Sequence, residues 1–233
     1  MNRVWAVLAA VAAVAFAASP WLVPGFNGFE ADQFPVPQDD PPVQPAGYAF
    51  AIWGLIYLWL IVGTVFGLVR RADDADWAAM RPPLVGSMVL GAAWLPVAKV
   101  SPVAATVMIW AMWGGAILSL FRVGDTDRWL QQAPVAIYAG WLTAAASVSI
   151  GFLLGGYGGL DQTIAALIAL AIALGIALAA QYALHRAPEY GLTVIWALIA
   201  VIVANTQPLN AAVAGLALIG IFAILGLRGT DTE

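Results

Sequence analysis

The chain has 233 residues, of which 63% are hydrophobic and only 9% charged, with a formal net charge of −4 and no cysteine. A soluble domain carries roughly 25% charged residues, so water is not the solvent this composition suits; the bilayer is. The lack of cysteine excludes disulfides, thiol chemistry and Cys-based metal or iron–sulfur sites, and basic residues scattered singly or in pairs argue against nucleic acid as a partner.

A helix rises about 1.5 Å per residue and the hydrocarbon core is about 30 Å thick, so uncharged apolar runs of about 17 to 25 residues mark membrane spans. Eight runs meet that test: Val4 to Val23, Gly47 to Val69, Pro82 to Ala98, Val103 to Phe121, Pro134 to Leu154, Gln162 to Leu184, Tyr190 to Thr206 and Leu209 to Leu227. The expected fold class is therefore all-α, a polytopic integral membrane bundle of eight transmembrane helices. Threading it with the N-terminus inside places Arg3, Arg70, Arg71, Arg81, Arg122, Arg128, Arg186 and Arg228 on the cytoplasmic side and only Lys99 outside, which sets an N-in, C-in orientation. The bacterial inner membrane is the expected location.

The first run also has features of a secretory signal, with Arg3 before an apolar stretch and Ala15-Phe16-Ala17 as a small-residue pattern. The apolar run continues through Trp21, Leu22 and Val23, which favours a span; cleavage would leave seven helices in the same orientation. Between the first and second runs, Pro24 to Ala46 carries Glu30, Asp32, Asp39 and Asp40 among six prolines. Proline at that density favours stiff, extended chain, either a lid over the external helix ends or a solvated acidic linker. The third and fourth runs break at Lys99 and Pro102, and the last two at Asn205 to Asn210, because either pair as one helix would far exceed the bilayer thickness.

Ionisable groups within spans mark pumps and proton-coupled transporters, and here Lys99, Asp161, His185 and Glu189 all fall at span ends. His185, the single histidine, reads as a helix-end residue, and one imidazole cannot by itself build a His-based metal site or a catalytic triad. No catalytic residue and no metal site are assigned. The distinctive feature is eleven tryptophans. Trp5, Trp21, Trp94 and Trp129 sit where interfacial anchoring suffices, whereas Trp59, Trp110, Trp113 and Trp141 lie deeper, as packing residues or pocket walls. Phe50, Trp53 and Tyr57 fall at i, i+3 and i+7, and Tyr138, Trp141, Ala145 and Ser149 also share a helical face. Two such faces could enclose a flat apolar ligand or simply pack.

The stretch Pro41-Pro42-Val43-Gln44-Pro45-Ala46-Gly47-Tyr48-Ala49-Phe50-Ala51-Ile52-Trp53-Gly54-Leu55-Ile56-Tyr57 resembles the first loop and second helix of the tryptophan-rich sensory protein family, TspO/MBR, which includes the mitochondrial translocator protein. Trp94-Leu95-Pro96 is similar to that family's Trp-x-Pro element, and Tyr138-Ala139-Gly140-Trp141 to its Pro-Tyr-x-x-Trp element. Gly91 and Ser149 stand where family members carry asparagines of the pocket region. The resemblance covers a five-helix region, residues 1–155 with the external loop 24–46, and leaves 156–233 as three additional helices.

The resemblance implies a bundle with a cavity open toward the proline-rich loop, lined by Phe50, Trp53, Tyr57, Trp94, Tyr138, Trp141 and Ser149. Family ligands are porphyrins and haem-type tetrapyrroles, sterol-like lipids and aromatic drugs, bound as ligands and not as required cofactors. The expected function is thus a membrane-embedded binding and sensory protein for a planar hydrophobic ligand, with the lipid bilayer and that small molecule as partners and a homodimer among the states left open. The alternative is a small-solute transporter or channel: Ile52-Trp53-Gly54-Leu55-Ile56 recurs as Ile195-Trp196-Ala197-Leu198-Ile199 in a span of opposite direction, as inverted repeats require, and the Asn205 to Asn210 cluster could line a path. An enzyme acting on the bound tetrapyrrole ranks last, because the sequence supplies no acid–base pair.

Overall fold

A computed structural model describes residues 2–25 and 28–229, the last two by backbone alone; the Arg228 side chain, residues 26–27 of the proline-rich segment and residues 230–233 lie outside it. Eight long helices run in order: α1 (Asn2–Leu22), α2 (Ile52–Arg70), α3 (Arg81–Val100), α4 (Pro102–Phe121), α5 (Ala133–Gly156), α6 (Gln162–Leu184), α7 (Pro188–Ala204) and α8 (Ala211–Gly229). The described residues form an all-helical bundle with no strands.

Local chemistry sets the boundaries. Proline opens α4 and α7 at their first position, where its missing N–H costs nothing. Ser101 alone separates α3 from α4 and accepts a hydrogen bond from the Ala104 N–H, while Asp161 accepts from Thr163 and Ile164 at the start of α6. Among the described residues, six helices are long and apolar enough to cross a membrane; Pro188–Ala204 and the apolar part of α8, Ala211–Leu227, are shorter. At about 1.5 Å per residue these two reach only the lower limit of a span, because the polar turn between them takes residues from both. The second run is also shorter as regular helix than its hydrophobicity suggests: residues 47–51 form a tight 3-10 turn before α2 begins.

The centre of the bundle is α5, which is buried on nearly every face. It packs on α4, α6 and α7, while α1 packs on α2 and α3, and α8 closes against α6 and α7. Without a water-driven term between helices in lipid, packing and interhelical hydrogen bonds must hold such a bundle. Ser87 of α3 donates to the Met112 carbonyl (2.6 Å) and shares a hydrogen bond with the Tyr138 hydroxyl (2.8 Å). Trp113 of α4 donates to Thr143 (2.9 Å), which in turn pairs with the Tyr190 hydroxyl of α7 (2.9 Å). Trp59 finds its partner in the Trp129 carbonyl (2.6 Å) and stacks on that ring.

The two ends of the bundle differ in kind. Arg71, Arg81, Arg128 and Arg186 gather at one end, where Arg71 pairs with Asp127 (2.8 Å), Arg128 with Glu189 and Arg186 with Asp125. At the other end lies the proline-rich segment, with Lys99 donating to the Pro24 carbonyl (2.6 Å). That segment is folded down as a lid. Phe34 and Val43 are buried, Gln33 donates to the Ala98 and Lys99 carbonyls, the Ala46 N–H donates to Ala200, and Asn205 donates to the Pro42 carbonyl (2.8 Å). Gly151 of α5 permits the close approach, since a Cβ there would lie 2.6 Å from Val43.

The Arg71–Asp127 contact yields a pH prediction. The Arg71 guanidinium, helped by the Trp77 indole N–H, holds the Asp127 carboxyl below its usual range. A depressed folded-state value contributes stability above the unfolded value, near 4, that is lost as pH falls through the folded one. Thermal stability is therefore expected to fall as pH drops below about 4, and Asp127→Asn is expected to flatten that dependence when melting is followed by tryptophan emission across the acid range.

Candidate ligand-binding cavity

Beneath the lid, α5, α6 and α7 diverge enough to leave an apolar cavity of about 110 Å³, of the order that holds one aromatic ring. From α5 it is walled by Trp141, Ala144, Ala145, Val148, Ser149 and Phe152, from α6 by Ala169, Leu170 and Ala173, and from α7 by Val194, Ala197, Leu198 and Val201. Trp94 and Ile109 complete one side. The roof is made by two arms of the lid, Gly28–Phe29 and Val43–Pro45, together with Phe50. Phe29 packs edge-on against Phe34 and Phe152, and Phe34 stacks on Phe152 at 5.7 Å.

The polar groups on these walls are mostly spent on the protein itself. Ser147 and Ser149 donate to carbonyls of their own helix, Thr143 and Ala146, at 2.8 and 2.7 Å, and Trp94 donates to the Ala105 carbonyl (2.9 Å). Trp141 is the exception: it is 1% exposed, and its indole N–H has no hydrogen-bond partner among the described residues. An orphaned buried donor costs on the order of 1–3 kcal/mol.

The seven residues expected to line the site divide into two groups. Phe50, Trp94, Trp141 and Ser149 line this cavity. Trp53, Tyr57 and Tyr138 do not; they form an aromatic cluster on the other side of Trp141, with Trp53 and Tyr57 stacked at 5.3 Å and Trp53 edge-on to Trp141 at 6.2 Å. Phe16 of α1 fills the space between them, with its ring 5.7 Å from Trp53, 5.0 Å from Tyr57 and 5.6 Å from Tyr138. Gly91 makes this arrangement possible, because a Cβ at that position would lie 2.5 Å from the Phe16 ring. Gly91 thus admits a phenylalanine that plugs the aromatic face.

Space is therefore left on the α6–α7 side, and those walls are the residues that sequence reasoning missed. Ala169, Ala173 and Ala197 look like any small membrane-helix residue. The signal available was α5 itself, whose Thr143, Ser147 and Ser149 mark a helix surrounded by protein. The cavity offers no histidine, cysteine, methionine or tyrosine among its lining residues, and His185 lies beyond the last turn of α6 at the arginine end.

No curated protein and no solved structure matches this chain. A family model of the TSPO-like proteins matches residues 3–228, a range that takes in α6 and α7 and nearly all of α8. The chain is a multi-pass integral membrane protein and belongs to the TSPO-like protein family.

Proposed function

We propose that the protein is a membrane-embedded binding and sensory protein for a planar hydrophobic ligand, seated in the cavity between α5, α6 and α7 and sensed through the lid. Porphyrin-like macrocycles and lipids are the ligand classes to test, and the cytoplasmic membrane of a bacterium, arginine end inward, is the setting. The observation that carries this reading is the apolar cavity beneath the lid, walled by Trp94, Trp141, Phe50 and Phe152. Family membership supports it.

Size links binding to sensing. A macrocycle exceeds a cavity of about 110 Å³, so its full entry would need the Gly28–Phe29 and Val43–Pro45 arms to give way. Those arms are tied to the α3–α4 turn by Gln33 and to α7 by Asn205 and Ala46. Occupancy would thus be reported at the outer surface. Transport of a polar solute draws less support, because the lining is hydrocarbon and the Asn205 and Asn210 amides are engaged with Pro42 and Thr163.

Titration of the purified protein in neutral detergent with protoporphyrin and with pyrene tests the reading. Saturable tryptophan quenching at micromolar ligand is expected, lost in Ala173→Phe, which fills the cavity. Absence of quenching by both ligands would contradict the proposal.

A further inference from the structure

A second, polar cavity of about 570 Å³ adjoins the first at the outer end of the bundle. Its polar side chains are Asp40 and Gln44 of the lid, Thr163 of α6, and Asn205, Gln207 and Asn210 of the α7–α8 turn. Gln44 and Pro45 line both cavities. The two spaces are therefore separated by one short piece of lid, the same arm that a bound ligand must displace. An apolar chamber divided from a polar one only by Gln44–Pro45 fits, once that arm is displaced, a ligand with an apolar body and a polar head.

Charge and hydrogen-bond capacity say which head. No lysine, arginine or histidine lines the polar cavity, and its one charged side chain is Asp40. Four lining residues, Pro41, Pro42, Pro45 and Pro208, have no backbone N–H to offer an anion, and the Pro41 and Pro42 carbonyls already accept from the Gln44 N–H and the Asn205 amide. Two helix N-termini reach this region and would by themselves favour an anion, but they are already capped: Asp161 accepts from Thr163 and Ile164, and Asn210 accepts from Val213. A carboxylate head would thus meet the exposed carboxylate of Asp40 and no cationic side chain, whereas an ammonium would meet a counter-charge.

Resting on the cavity reading above, we infer that the ligand is an amphipathic amine whose apolar body fills the α5–α6–α7 cavity while its protonated amine sits in the polar cavity against Asp40. Three probes of one shape separate this from simple apolar binding: butylpyrene, pyrenebutylamine and pyrenebutyrate, each followed by energy transfer from tryptophan in the same neutral detergent. Pyrenebutylamine is expected to bind about tenfold tighter than butylpyrene, with pyrenebutyrate no tighter than butylpyrene. Asp40→Asn, which keeps a residue type tolerant of the left-handed backbone found at that position (φ 41), should bring the amine-to-hydrocarbon ratio toward one. Equal affinity of amine and hydrocarbon, tighter binding of the carboxylate, or an unchanged ratio in Asp40→Asn would overturn the inference while leaving the apolar cavity reading intact. Failure of all three probes to bind would instead remove that reading, and this inference with it.

Discussion

Arg81→Met is expected to cost about 3 to 5 kcal/mol, the largest effect of any single change in the arginine layer. Arg81 opens α3 yet is only 1% exposed. Its guanidinium donates to the carbonyls of Gly67 (3.1 Å), Arg71 (2.7 Å) and Ala72 (2.9 Å). The Gly67 carbonyl belongs to the last turn of α2 and the other two lie just beyond it; the Gly67 and Arg71 carbonyls also accept from the Arg71 and Asp74 N–H groups, so one side chain reinforces two acceptors of a helix end and supplies a donor to a third, Ala72. Hydrogen bonds to a charged donor contribute about 1.5–3 kcal/mol each, and the truncated variant loses all three, taking from the Ala72 carbonyl its Arg81 donor. Arg81→Lys retains the charge but not the planar fork, so it should fall between the parent and Arg81→Met. Unfolding of the detergent-solubilised protein in increasing denaturant measures all three; equal stability of the parent and Arg81→Met would show that the capping contacts contribute nothing.

Phe16→Ala is the second large effect, and it bears on why the cavity lies where it does. In a water-soluble core such a change costs about 3 to 5 kcal/mol. Part of that is transfer of the ring from water, which has little counterpart in lipid or detergent. The remaining packing loss sets an expected cost of about 2 to 3 kcal/mol. The vacated space, bounded by Trp53, Tyr57 and Tyr138, should accept a small aromatic guest, so that toluene restores part of the lost thermal stability in Phe16→Ala and none in the parent. Gly91→Asn makes the complementary test: with Phe16 in place it should destabilise, and combined with Phe16→Ala it should be tolerated. If the two changes acted additively, Gly91 would have no role in admitting the ring.

These residues also show what could be read from the sequence. Helix positions were legible because length, charge and proline act locally: Gln162 to Leu184 emerges with its ends unchanged, and the break at Lys99 to Pro102 is a one-residue turn capped by Ser101. The proline-rich segment could be recognised as unusual but not as folded down, since its seating depends on contacts from Gln33 to the α3–α4 turn and from Asn205 to Pro42, far apart in the chain. Helical spacing placed Phe50, Trp53 and Tyr57 on one face, yet Phe50 lies in the preceding 3-10 turn and reaches the cavity while the other two do not. The deciding residue, Phe16, comes from another helix and sits in a stretch of alanines and valines with nothing local to mark it. The alanines of α6 and α7 were hidden for the same reason: a small apolar residue facing a cavity and one facing lipid read alike.

The central claim, a ligand held between α5, α6 and α7, can be tested directly because the chain has no cysteine. Ala173, on α6 at the cavity wall, becomes in Ala173→Cys the only thiol, and its rate of alkylation by N-ethylmaleimide can be measured with and without pyrene. With pyrene at ten times its Kd, about tenfold slower alkylation is expected, in line with the fraction of protein left unoccupied. An unchanged rate under conditions where tryptophan quenching shows pyrene to be bound would place the ligand elsewhere and contradict the claim.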